Sequence, residues 1–303
     1  MNWFLLSLIA ILFWSGSDLF SKIGCRDPRD KFSPLKMVIA VGVVMGLHAA
    51  YEIFVGGTEI NLSILLTYLP VSLLYIGSMT LGYVGLRYIE LSISSPICNS
   101  SGALVAVMTL IFSGISGYSP LALVAVALVC AGAIGLGVVD ACEDEDLRAA
   151  RQEASNYKYA KSAMALAMPV AYCLLDAAGT FADNRVLETL NEDSANVAYE
   201  LTFLLAAVVC FVYVVLIKRT PLIPKLEAPK YIGAVCETAG QFAYIYAIAD
   251  TEHLAMSAPI ISSYCAASVL WSRIFLKEKL SWKHYLMILL IIIGIAIMGF
   301  FDM

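Results

Sequence analysis

Three carboxylates stand inside apolar stretches of this sequence, where a charged side chain costs about 2.5–3.5 kcal/mol to insert into a membrane. Asp18 follows the uncharged run MNWFLLSLIAIL and the segment FWSGS. Trp14, Asp18 and Lys22 repeat every four residues and share a helix face, so Lys22 offers Asp18 a partner near the helix end. Asp176 shares a face with Tyr172, Gly179 and Asp183 and has no base within reach on its own helix. Asp183 lies near the end of that stretch, where the water boundary is expected. Glu237 stands well inside its apolar stretch, with Gln241 and Tyr244 at helical spacing and again no local base. Carboxylates so placed can exchange a proton with a bound solute, or stay ionised and attract a cation. Glu237 is the acid best placed for function on these grounds. Glu52, Glu90, Glu200 and Asp250 fall nearer segment ends and read as solvated or gating groups.

A neutral polar lining accompanies the acids: Tyr75, Ser78, Tyr83, Asn99, Ser100, Tyr246, Ser263 and Tyr264. Hydroxyls and amides in membrane helices hold helices together at only about 0.6 kcal/mol per bond, so helix contact is their default role. Aromatic faces beside carboxylates suit an ammonium group, which points to an amine, an amino acid or a similar small molecule. His48 reads as a satisfied interior histidine, and Gly42 and Gly46 as sites of close helix approach. The eight cysteines are scattered singly, with no Cys/His cluster, so neither a disulfide framework nor a metal site is expected, and no cofactor. Ser116 in GISG, residues 114–117, matches the G-x-S-G spacing of an intramembrane serine protease. A nucleophile needs a base held within about 3 Å, and no histidine sits in a segment suited to reach it. A small-residue turn is the simpler reading, and no enzymatic activity is expected.

The elements that must carry these residues are long. Of the 303 residues, 60% are hydrophobic and only 14% charged. Apolar runs long enough to cross a ~30 Å hydrocarbon layer recur at about 2–24, 33–55, 64–86, 93–115, 119–139, 161–182, 196–217, 230–250, 256–276 and 282–301. The expected fold is all-α: a polytopic membrane protein of ten transmembrane helices. The net charge of −5 is spread over short loops, and no basic stripe suggests nucleic acid. All 19 lysines and arginines except Arg185 fall in or beside the odd-numbered loops. That bias puts those loops in the cytoplasm and both termini outside, in a plasma membrane such as the bacterial inner membrane. The first segment lacks a basic leader and a cleavage site and reads as a retained helix.

One long polar stretch, DACEDEDLRAARQEASNYKYAK over residues 140–161, separates five spans from five. The halves look related. An offset of 163 takes Tyr83 to Tyr246, Pro96 to Pro259 and Ser100 to Ser263; an offset of 162 pairs Gly132 with Gly294; an offset of 158 pairs Trp14 with Tyr172 and Asp18 with Asp176. Pro96 and Pro259 are expected in the first turn of their spans, where proline is tolerated. An odd number of spans per copy inverts the second copy. The expected organisation is therefore a first five-helix repeat at 1–140, a charged cytoplasmic linker at 141–160, and an inverted repeat at 161–303. In such proteins the site lies near the midplane between the copies.

These features resemble the drug/metabolite transporter superfamily, in particular its ten-span EamA-type members. The resemblance covers the full length: two five-helix repeats, a tryptophan with small residues in the first span, and prolines in the fourth and ninth. The segment IFLKEKLSWKHYLMILLIIIGIAIM, with Glu278 and Gly294, is similar to the family's end-of-repeat pattern. The first repeat departs from it, having Gly132 but no acid, with Gly117 near the expected place. The termini depart too, since many members are described with cytoplasmic ends. The resemblance implies a secondary transporter moving a small polar metabolite by alternating access, with its cavity built mainly from spans 3, 4, 8 and 9. Substrate and protons would be its partners, with membrane lipids around it; nothing in the sequence sets an oligomeric state. The implied site is Glu237, Asp176, Asp18, Trp14, Tyr172, Tyr83, Tyr246, Gln241, Asn99 and Ser263. A lipid-linked-sugar flippase of the same superfamily is the alternative, although the spans carry few bases for a pyrophosphate.

Overall fold

The computed structural model describes residues 2–27, 30–114, 118–142 and 163–301. Ser116 and nearly all of the charged linker lie outside the described residues. Twelve helices are described: α1 (Trp3–Cys25), α2 (Ser33–Tyr51), α3 (Leu62–Tyr88), α4 (Leu91–Asn99), α5 (Ser101–Ser113), α6 (Pro120–Ala141), α7 (Ala163–Leu187), α8 (Glu192–Phe211), α9 (Pro224–Ile248), α10 (Leu254–Ser262), α11 (Tyr264–Trp271) and α12 (Trp282–Phe301). A π-helical turn prolongs three of them: α2 through Glu52–Gly56, α8 through Val212–Ile217 and α11 through Ser272–Leu276. No strand occurs among the described residues. Hydrocarbon offers the backbone no partners, so these Leu-, Ile-, Val- and Ala-rich runs satisfy their own N–H and C=O groups by coiling.

Local chemistry sets the helix ends. Asn2, Asn61 and Asn191 each accept a hydrogen bond from the first turn of the helix that follows. Gly57 stops the first π-helical turn at φ 75°, a left-handed conformation that glycine adopts freely. Among the described residues, eight helical stretches are long and apolar enough to cross a membrane. α7 and α9, of 25 residues each, carry Asp176 and Glu237. Leu47, Phe54, Ile111, Phe112 and Phe300 lie on an exposed apolar surface of the kind that lipid tails cover. The chain is a polytopic membrane protein.

The prolines behave differently from the sequence expectation. Pro96 and Pro259 lie inside α4 and α10 rather than in their opening turns, and each helix breaks a few residues later, at Ser100 and Ser263. The reason is local. A proline disturbs the turn before it, where its missing N–H would bond the carbonyl four residues back, so the break after it coincides with the serines instead. The serine hydroxyls then bond back to main-chain carbonyls, Ser100 to Pro96 at 3.0 Å and Ser263 to Ile260 at 2.5 Å. The stretches 91–113 and 254–271 are thus each two short helices joined at a break.

Most helices of the first half have their principal partner in the second. α1 packs along α9, α2 on α8, α3 on α7, α6 on α12, and the short α5 on α10. Glycines set the closest approaches. A methyl on Gly132 of α6 would come within 2.8 Å of the Met287 carbonyl oxygen on α12, and one on Gly294 of α12 within 2.8 Å of the Ala125 carbonyl oxygen on α6. Gly42 brings α2 against the backbone of α8 at Phe203 in the same way. The apolar core runs through this seam, and between α1, α3, α7, α9 and the two broken spans it leaves a cavity.

Candidate functional site

The cavity has a volume of about 910 Å³ including its mouth. Four residues of α1 enter its wall, Trp14, Ser17, Asp18 and Ser21, at the three- and four-residue spacing of one helix face. Glu237, Gln241 and Tyr244 of α9 do the same from the facing side, and Tyr172, Asp176 and Thr180 from α7. α3 contributes Tyr75 and Tyr83, α4 contributes Ser95 and Asn99, and α8 contributes Tyr199. Three glycines make room for the rings. Gly82 faces Tyr172, Gly179 faces Tyr75, and Gly240 lies flat against Trp14, so a methyl at any of these positions would collide with the aromatic.

A serine hydroxyl holds each of the three acids. Asp18 Oδ2 accepts from Ser95 at 2.5 Å and from Ser268 at 2.7 Å, which ties α1 to α4 and α11. Asp176 Oδ2 accepts from Ser101 at 2.7 Å, at the first turn of α5 just past the helix break. A helix N-terminus favours a negative charge there. Glu237 Oε2 accepts from Ser17 at 2.8 Å, and the Trp14 indole donates to the Glu237 main-chain carbonyl at 3.3 Å. The bonds to both aspartates fall on one oxygen, so Asp18 Oδ1 and Asp176 Oδ1 take none from the described residues. None of the three acids forms an ion pair among the described residues, and no lysine, arginine or histidine lines the cavity. Glu237 sits within the field of both aspartates. Trp14 stacks obliquely on Tyr244 and edge-on to Tyr264, with centroids 4.9 and 5.7 Å apart. The arrangement sets three buried carboxyl groups beside aromatic faces. It can hold a cation or pass protons.

Eight of the ten site residues expected from sequence border this cavity: Trp14, Asp18, Tyr83, Asn99, Tyr172, Asp176, Glu237 and Gln241. The other two lie elsewhere. Ser263 bonds back into α10, and Tyr246 turns to the surface, where its hydroxyl donates to Asp193. Lys22 does more than sit beside Asp18 on α1. It is buried, and its ammonium donates to the carbonyls of Leu86 and Ile89 at the end of α3, at 2.8 and 2.6 Å. Asp183 is fully buried rather than at the water boundary, accepting from Tyr68 at 2.7 Å and Tyr75 at 3.2 Å. Tyr75 also meets Tyr244 at 2.5 Å, so a chain of hydroxyls runs from Asp183 into the cavity wall. Glu200, expected near water, is likewise fully buried and bonded to His48 at 2.8 Å; His48 is accordingly satisfied. Sequence reasoning missed the serines that hold the acids: Ser17, Ser95, Ser101 and Ser268. The signal was present in the serine-dense SISSPICNSSG around the fourth-span break.

Residues 165–300 match the EamA-like transporter family. Among solved structures, a crystal structure described only as that of a protein superposes with a TM-score of 0.64, covering 98% of this chain and 96% of that one. At 14% identity this is a likeness of fold alone. No curated protein matches the chain.

Proposed function

The chain is a member of the drug/metabolite transporter superfamily on its EamA-like match over residues 165–300, and from that premise we propose that it is a secondary transporter. Its cargo on this reading is a small polar metabolite, an amine, amino acid or similar solute that bears a positive charge, moved by alternating access. One observation carries the reading: acids from α1, α7 and α9 border a single cavity that has no basic residue in its wall. Negative charge removed from water needs a compensating cation or proton, and a bound ammonium supplies one. The same wall weighs against the pyrophosphate of a lipid-linked sugar.

The mechanism follows from treating 1–140 and 161–303 as inverted five-helix copies in a ten-span chain. The paired breaks at Ser100 and Ser263, the reciprocal glycines Gly132 and Gly294, and the packing of α1 on α9 and α3 on α7 support that organisation. Two such copies have two near-equivalent packings, one open to each face. Asp18 and Asp176 approach the cavity from corresponding helices, and Glu237 lies between their fields. The bias of basic residues supports cytoplasmic odd-numbered loops. A solute that neutralises the acids from one face would let the halves repack and release it at the other, with protons taking its place on the return.

Uptake of radiolabelled amines into proteoliposomes tests this reading. Glu237→Gln keeps the Ser17 hydrogen bond but removes the charge, and uptake is expected to fall roughly tenfold or more, with the melting temperature in detergent near that of the wild type. Full uptake by that variant would remove Glu237 from the mechanism. Uptake that ignores imposed proton gradients would remove the proton.

A further inference from the structure

Asp183 is fully buried on α7. No basic side chain pairs with it among the described residues: Arg185 reaches Glu188 at 2.8 Å, and His253 pairs with Asp250 at 2.8 Å. Its partners are phenols of α3, Tyr68 donating to Oδ1 at 2.7 Å and Tyr75 to Oδ2 at 3.2 Å. The other ionisable groups acting on these two phenols are Tyr244 of α9, Tyr199 of α8 and Asp176 of α7 itself. Of the remaining helices packed on α7, α5 carries no ionisable residue, and Cys98 of α4 lies in the fields of Asp18 and Asp176 instead.

The hydroxyls do not stop at Asp183. Tyr75 Oη lies 2.5 Å from Tyr244 Oη, which lies 3.1 Å from Thr180 Oγ1. Tyr75, Tyr244 and Thr180 all border the cavity, whereas Tyr68 does not. Asp176, Thr180 and Asp183 share one face of α7, so the cavity acid, the hydroxyl and the buried acid form a ladder along it. Seven residues set Asp183 about 10 Å beyond Asp176 along the helix. A hydroxyl both donates and accepts. With Tyr75 donating to Asp183, its oxygen accepts from Tyr244, whose oxygen can accept from Thr180, and all three bonds point at the carboxyl. A proton arriving at Thr180 from the cavity then moves each hydroxyl proton one place along: Thr180 to Tyr244, Tyr244 to Tyr75, Tyr75 to Asp183 Oδ2. The carboxylate becomes a carboxylic acid, each hydroxyl keeps one proton, and no charge stays on a phenol. We propose that Asp183 is a proton site separate from the three cavity acids, filled and emptied through Tyr75, Tyr244 and Thr180. Its use rests on the transporter reading above: the site takes the proton that a cationic solute displaces from the cavity.

Infrared difference spectra of the purified full-length protein in lipid, stepped from alkaline to acid buffer with no solute present, test the site. The wild type is expected to gain a protonated-carboxyl band that Asp183→Asn lacks. Tyr75→Phe, which removes one hydrogen bond to that carboxyl, should move the band, and it serves where the first variant folds poorly. After a rapid pH jump, Tyr244→Phe should slow the rise of the band about tenfold or more. It should slow it more than Tyr68→Phe, although Tyr68 touches Asp183 and Tyr244 does not, because only Tyr244 lies on the path. A carboxyl band that is the same in the wild type, Asp183→Asn and Tyr75→Phe overturns the proton site. Equal rates in Tyr244→Phe and Tyr68→Phe overturn the relay. Both measurements omit solute, so either failure leaves the cation reading to amine uptake, and failed uptake leaves a positive band standing.

Discussion

At one end of the bundle, Lys22 of α1 reaches the Leu86 and Ile89 carbonyls where α3 finishes; at the other, Asn184 of α7 reaches the Ile248 carbonyl where α9 finishes, at 2.7 Å. The task is the same at both ends. The last carbonyls of a helix lack partners within it, and a side chain from the neighbouring helix supplies them. The means differ. The Lys22 end is ionic: Glu278 and Glu90 act on the ammonium, Lys36 pairs with Asp30 at 2.9 Å, and Lys230 pairs with Glu227 at 2.9 Å. The Asn184 contact is itself neutral: the buried Asp183 beside it is enclosed by the phenols of Tyr68 and Tyr75, and the ion pairs of this end, Arg185 with Glu188 and His253 with Asp250, lie at its partly exposed rim. An ionic latch holds firmly and fails abruptly when one partner goes, whereas an amide-and-phenol latch yields in small steps. The two ends of the bundle are thus closed by different chemistry.

The sharpest way to break this comparison is to remove the ammonium. Lys22→Met keeps most of the volume but strands the surrounding acids, and loss of one member of a buried charge group typically costs about 3–5 kcal/mol. The expected result is the largest fall in apparent melting temperature of any single change at either end. Glu278→Gln added to Lys22→Met should recover part of it, since the second change removes a stranded charge. If Lys22→Met were no less stable than the substitutions at the opposite end, the contrast between the latches would be lost.

At that opposite end, Asp183→Asn preserves an acceptor for Tyr68 and Tyr75 and removes the charge. Hydrogen bonds to a charged group are worth about 1.5–3 kcal/mol against about 1 for neutral ones, so a loss of about 1–2 kcal/mol is expected. The measurement is the same thermal unfolding in detergent. Tyr68→Phe should cost less in the Asp183→Asn background than in the wild type, because the two share one interaction. Additive losses would show that the phenol and the carboxylate act separately.

Why the sequence disclosed one latch better than the other follows from these residues. The helices were legible because hydrocarbon demands long apolar runs, and the acids Asp18, Asp176 and Glu237 were legible because they interrupt those runs. The depth of Asp183 was not. Beside Asn184 and Arg185 it has the local composition of a helix end, and only the phenols of Tyr68 and Tyr75, seven residues apart on α3, make its burial tolerable. Those phenols lie more than a hundred residues away, and a single sequence carries no trace of the pairing. The broken spans illustrate the same limit on a smaller scale. A proline in a short apolar run fits an opening turn and an interior break equally well, and the choice rests on the helix residues upstream of it. Tyr246 was the mirror case, paired with Tyr83 by spacing yet facing Asp193 at the surface.

The smallest effect lies in the loop that tethers the neutral end. Tyr118, between α5 and α6, donates to the Glu252 carbonyl at 3.0 Å and so links the loop of one half to the loop of the other. Partial burial of the ring is the main cause holding its phenol above the usual value of 10.0, with the Ala255 backbone N–H acting against it. A folded-state value raised above the unfolded one means a contribution that is complete below pH 10 and lost as pH rises through the folded value. Tyr118→Phe should therefore lower stability by only about 0.5 kcal/mol near pH 8, since the site is partly exposed. The gap between variant and wild type should close as pH passes about 10, where the phenolate can no longer donate to a carbonyl. A gap that stays constant to pH 11 would mean that the ring's packing, rather than its hydroxyl, holds the loops together, and the neutral end would then owe less to phenols than Asp183 suggests.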